Sequence, residues 1–307
     1  MSEATQTGRT INGHTYTDAP VDVKLGPNTF RIPANYLDSQ IAPWPGDGVS
    51  LVIEWPDMGP SAPGARANPR TNDFRKEIRI LVDFIDRVPI ETVLERHASN
   101  VATSTKGSLE RGDPASRLDL RVAQPEVMGL VPYTIDPVRL DNYARSYEKQ
   151  YGTPYPRNPA FEDDWFVTRN QDGTLATLIK CDNPAHRRDG VILRDREVIS
   201  VDGEIAAGCN HTIVAIEDGL VIRMSYKRAF LREWKAMEHA IRDLLHRTKV
   251  MMITREAVQT PMEQSRHRSE VASADRGQAL AQSQQQEVER QWAYTLHTQC
   301  NGMVLCA

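Results

Sequence analysis

No apolar run in this chain of 307 residues approaches the ~20 residues that a membrane-crossing helix needs. The stretch Met1 to Thr10 is polar and lacks the apolar centre of an export signal. Positive charge is also short. The 37 Lys and Arg stand against 41 Asp and Glu, leaving a formal net charge of −4, without the concentrated field that duplex binding requires. Cysteine is scarce: the four residues are Cys181, Cys209, Cys300 and Cys306, none forms a CxxC pair, and no nearby histidine completes zinc-ligand spacing. There is no GxSxG elbow, no glycine-rich phosphate loop and no HExxH. The eight histidines are scattered. His211, just after Cys209, reads as a packed structural residue, and His97 falls on a predicted helix with no visible partner. The sequence thus names no catalytic residue, metal ligand or cofactor site. Catalytic groups can still converge from distant positions, so a hydrolase of unfamiliar type stays open as an alternative.

What is present is ordinary for a globular chain, with 40% apolar and 25% charged residues. Residues 1–20 read as a flexible lead-in. Period-two alternation then predicts strands over Val21–Leu25, Thr29–Ile32, Val49–Trp55 and Glu77–Ile85. A helix is predicted over Ile90–Val101, a strand over Leu118–Val122 pairing with Met128–Pro132, and a polar, largely helical segment over Asp136–Gln150. The proline-rich stretch Gly152–Pro159 suggests two halves, 21–150 and 160–250. Asp172-Gly173 and Asp218-Gly219, each between apolar runs, signal two hairpins. Phe230, Trp234, Met237, Ile241 and Leu244 then recur as a stripe on one helix face. The fold class is α+β, with antiparallel sheets and packed amphipathic helices. Residues 251–307, rich in Gln, Ala and Ser, form a polar, partly helical appended tail.

Two charged clusters invite attention. Glu162, Asp163 and Asp164 precede a strand, and Asp182, His186, Arg187 and Arg188 follow one. Both read first as solvated loops and second as contacts for a partner protein. The cysteines carry more information. Cys181 closes one predicted strand and Cys209 opens another, 28 positions on. If those strands are neighbours, the pair can form a disulfide, which persists in an oxidising compartment. The alternative is two buried thiols in a cytoplasmic protein.

The ordered strings Leu178-Ile179-Lys180-Cys181, Cys209-Asn210-His211, Leu220 to Tyr226 and Leu231-x-x-Trp234 resemble the C-terminal part of periplasmic immunity proteins paired with type VI secretion lipase effectors. Phe30 to Tyr36 and Leu51 to Pro56 are similar to their N-terminal part. The resemblance covers roughly residues 20 to 248. It implies a non-enzymatic protein that grips a secreted phospholipase and blocks it sterically, in the periplasm, with no nucleic acid and no cofactor. The leader that such proteins carry is not in the sequence as written. Met1 is compatible with a start after a removed signal or lipoprotein leader, and hence with a lipid anchor. The tail departs from the pattern, and a segment fused from the partner effector is one reading of it. An envelope binding or lipoprotein module with another partner is the main alternative.

Overall fold

The computed structural model describes residues 7–250, apart from 12, 45, 47, 69 and 158–161. The expected tail, with Cys300 and Cys306, lies outside the described residues.

Alternating side chains build strands along most of the chain. In order they are β1 (Thr7–Ile11), β2 (His14–Thr17), β3 (Pro20–Leu25), β4 (Asn28–Pro33), β5 (Gly48–Glu54), β6 (Glu77–Phe84), β7 (Val122–Ala123), β8 (Val131–Thr134), β9 (Asp164–Arg169), β10 (Leu175–Cys181), β11 (Val191–Arg194), β12 (Glu197–Ser200), β13 (Gly208–Ala215) and β14 (Leu220–Lys227). The helices are α1 (Val93–His97), α2 (Pro137–Tyr151) and α3 (Trp234–Thr248). Eight strands form one antiparallel sheet in the order β5-β6-β14-β13-β10-β9-β8-β7. The remaining six pair as the local hairpins β1–β2, β3–β4 and β11–β12. The architecture is α+β.

The main core lies on one face of the sheet. It joins Phe30 and Ile32 of β4, Ile53 and Ile80 of the sheet, and Met237 and Ile241 of α3. Each such fully buried side chain contributes roughly 1.5–3 kcal/mol. The expected helical stripe packs here, but Phe230 reaches the core from a 3-10 turn (Arg228–Glu233) rather than from α3, with its ring stacked 5.4 Å from Trp55. A smaller core on the opposite face joins Leu94 and Ala98, in and just after α1, to Leu118, Trp165, Val167 and Leu178.

Local chemistry explains the element ends. Asp136 caps α2, accepting from the backbone N–H of Val138 at 2.9 Å and of Arg139 at 3.3 Å, with Pro137 in the first turn. Gly152 closes the same helix at φ 70°.

Three expectations differ from the structure. Residues 7–17, read as part of a flexible lead-in, pair as β1–β2. The expected helix over Ile90–Val101 contracts to a 3-10 turn (Ile90–Thr92) followed by α1; beyond its end the Asn100 side-chain amide donates to the Glu110 carbonyl and the Asn100 backbone carbonyl accepts from the Ser104 hydroxyl, bonds that hold a turn in place of helix. Leu118 turns into the smaller core within a 3-10 segment (Leu118–Leu120), so only Val122 of that predicted strand enters the ladder, joined by Ala123, opposite Thr134 and Tyr133.

Candidate functional site

Cys181 lies opposite Cys209 in the register of the adjacent strands β10 and β13, and the two are joined as a disulfide. The excursion between them, read from sequence as a loop, carries the β11–β12 hairpin. Its inner positions Val191 and Val198 are buried, while the outer pair Ile192 and Ile199 face each other in register and are exposed. Asp182 ties the base of the excursion together, accepting from the Gly208 N–H at 2.7 Å and from Arg187 at 3.1 Å. Arg228, from the turn before α3, donates to Asp189 at 2.7 Å, to the Arg187 carbonyl at 2.8 Å and to the Asp182 carbonyl. Arg196 at the tip pairs with Asp57.

The charged residues singled out in the sequence converge at this end of the sheet. Asp164 stands opposite Cys181 in the β9–β10 register and accepts from the Asn183 amide at 3.1 Å. Glu162 pairs with Arg157 at 2.9 Å, and that pairing holds its carboxyl below the usual range. Burial pushes the carboxyls of Asp163 and Asp164 up, and Asp182 adds to the effect at Asp163. His186 and Arg188 are exposed, the latter 3.3 Å from Glu204. Glu162, Asp163, Asp164, Asp182 and Arg187 are half-buried; the side chains of Glu162, Asp164, Asp182 and Arg187 pair within the chain, and the Asp163 backbone carbonyl accepts from Arg121 at 2.6 Å.

A second surface escaped the sequence reading. The smaller core covers the sheet face opposite α3 only around β8, β9 and β10. Toward β5, β6 and β14 the same face is open and forms a concavity of about 440 Å³. Arg79 of β6, Arg223 of β14 and Lys180 of β10 line it, with His97 of α1 at its wall. Lys180 donates to the His97 carbonyl at 2.8 Å and sits 3.8 Å over the Trp165 ring, against which Arg121 also packs at 4.2 Å. Burial, then Arg121, brings the Lys180 ammonium down to about 8, with Asp163 opposing. Arg121 itself is brought down to about 10 by burial. Burial depresses His97, and Arg223, Lys180 and Arg96 each depress it further. These side chains sit at alternating strand positions, but the strands meet only through long-range pairing. That is why no local pattern revealed the surface.

His211 is fully buried in the main core, as a packed residue should be. Its Nε2 lies 2.9 Å from Glu238 Oε1 and its Nδ1 lies 3.3 Å from the Tyr226 hydroxyl. A neutral ring satisfies both, donating through Nε2 and accepting at Nδ1; this tautomer is assigned from the network. Thr177 donates to the same Glu238 oxygen at 2.7 Å. Burial lowers the His211 pKa, with the Glu238 bond opposing. The group resembles a catalytic set in composition only, because its histidine has no exposed surface from which to meet a substrate. Among the described residues no cluster of three or more His, Cys, Asp or Glu could hold a metal ion, and no helix is long and apolar enough to cross a membrane.

No known family profile matches the chain, and no curated protein does. Among solved structures the chain is similar to Smlt3025, an immunity protein of the Stenotrophomonas maltophilia type IV secretion system. The two are 64% identical over 81% of this chain and 100% of the other, with a TM-score of 0.78. The resemblance in the sequence strings implies a type VI system, whereas this relative's system is type IV. Those strings consist of core and strand-end residues, which specify the scaffold and not the secretion route. At this identity and coverage, the chain belongs to the family of the immunity protein Smlt3025.

Proposed function

We propose that this protein is itself an immunity protein, which binds a secreted toxin and blocks it sterically in the periplasm of the producing cell. The relationship to Smlt3025, at 64% identity over the whole of that chain, carries the reading. The buried Cys181–Cys209 disulfide supports the compartment, since such bonds persist where the medium is oxidising. The β11–β12 excursion is tied at its base by Asp182 and Arg228 and presents Ile192, Ile199, His186 and Arg188 outward. A rigid element of this kind suits a tight complex, in which a few buried anchors within a polar rim supply most of the affinity. We take the half-buried Glu162, Asp163, Asp164, Asp182 and Arg187 to brace this surface. For the toxin, we propose a phospholipase, on the sequence resemblance alone.

The test is to mix the purified protein with the toxin encoded beside its gene, then follow complex formation by size-exclusion chromatography and phospholipid hydrolysis by fatty-acid release. A stoichiometric complex with hydrolysis abolished is the expected result. A complex with a toxin of other chemistry would remove the phospholipase assignment. Absence of any complex would remove the immunity reading for this pair.

A further inference from the structure

The open half of the sheet has a charge pattern that the excursion lacks. Apolar side chains such as Val52, Leu81 and Leu178 share its lining with Arg79, Lys180 and Arg223. A partner that covers it must therefore supply polar or charged groups opposite those cations, because capping charged groups with apolar surface is costly. Two of the three cations lack a carboxylate of their own. Arg79 shares Glu77, at 3.0 Å, with the buried Arg66, which lies 3.2 Å from the other oxygen of the same carboxylate. The ammonium of Lys180 donates to an uncharged carbonyl, that of His97, at 2.8 Å. Arg223 pairs with Asp83. Among the residues lining the concavity of about 440 Å³, Arg79, Lys180 and Arg223 thus stand against a single carboxylate, Asp38, which Arg66 holds at 2.8 Å. That volume falls in the range that receives a small ligand or a few side chains.

Resting on the immunity reading, we infer that this groove receives a carboxylate-bearing segment of the toxin, paired by Arg79, Lys180 and Arg223. Arginine binds carboxylates through two parallel N–H donors, and both arginines project from neighbouring strands of one rigid sheet. The third cation extends the pairing row to β10, beside α1. Association is then faster at low salt and slows as salt screens the groove.

The experiment measures the affinity of the full chain for the toxin encoded beside its gene by titration calorimetry, at low and raised ionic strength. It compares wild type with the groove variant R79E/R223E and with R145E/K149E. The latter makes the same charge change on exposed positions of α2. The groove variant is expected to weaken binding at least about 30-fold, equivalent to about 2 kcal/mol, while the α2 variant stays close to wild type. Wild-type affinity in R79E/R223E overturns the groove assignment and leaves the immunity reading standing. Equal losses in both variants also overturn it, since diffuse charge then suffices. Absence of binding by wild type defeats the immunity reading and the groove with it. Should the glutamate variant melt below wild type, R79Q/R223Q is measured instead. A weakened complex with a shallower salt dependence supports the groove, and an unchanged salt dependence refutes it.

Discussion

Replacing Cys181 and Cys209 together by alanine removes the covalent closure of a 28-residue separation. In the chain-entropy view, closing a loop of that length withdraws about 12 cal/mol/K from the unfolded ensemble, or about 3.6 kcal/mol at 25 °C. The folded side changes less, because the hydrogen bonds of Asp182 to Gly208 and of Arg228 to Asp189 and Arg187 still hold the base of the excursion. For a domain of this size each kcal/mol moves the melting temperature by roughly 2–4 °C, so Cys181→Ala/Cys209→Ala should melt about 7–14 °C below wild type. Differential scanning calorimetry of the two proteins reads this directly. Wild type treated with a thiol reductant should fall by a similar amount, and the variant should not respond at that site. A fall below about 3 °C in both comparisons would refute the reasoning. A non-reducing mass measurement showing free thiols at Cys181 and Cys209 would refute it independently.

Two further perturbations probe the interior. Burial holds His211 below its ordinary pKa, so the folded protein keeps the ring neutral while the unfolded chain takes up a proton below about pH 6.5. Stability is therefore complete above about pH 6.5 and is lost as pH falls toward the lowered folded value, by at most about 1.4 kcal/mol per pH unit for each such histidine. His97 is shifted in the same direction and adds to the slope, whereas the raised carboxyls of Glu54, Asp163 and Asp164 act with the opposite sign at lower pH. Denaturant unfolding between about pH 7 and pH 5 should show a shallower loss for His211→Gln than for wild type, and identical slopes would contradict the assignment. Gly26, in the turn between β3 and β4, stands at φ 58°, and a Cβ there would lie 2.4 Å from the Phe84 ring. Gly26→Ala should therefore cost more than about 1 kcal/mol, measured as a shift in the urea midpoint at constant slope; an unchanged midpoint would show that the ring yields freely.

Much of the strand content was legible, because alternation marks a half-buried strand wherever one face meets a core. Asp172-Gly173 and Asp218-Gly219 sit at the β9–β10 and β13–β14 connections, with Gly173 at φ 87° and Gly219 at φ 66°. The disulfide was readable for a related reason: both cysteines flank strand ends that turned out to be neighbours. Strand order was not readable. β6 pairs with β14 across a long stretch of chain, and no local residue encodes that choice. The bare face carrying Arg79, Lys180 and Arg223 exists only once that order is fixed, so the sequence could show the residues and not their assembly. The β11–β12 hairpin was missed because its strands are four residues each, and one face of each is exposed. The charged clusters were found, but their internal pairing through Asn183 and Arg228 depends on the same long-range geometry.

The central claim, that this chain protects a cell by binding a toxin outside the cytoplasm, is tested most directly by survival. A susceptible bacterium would express the neighbouring toxin in its periplasm, with this protein either exported to the periplasm or kept in the cytoplasm. Survival restored only by the exported form is the predicted result. Killing that continues unabated in the presence of folded, disulfide-bonded protein in the periplasm would contradict the claim.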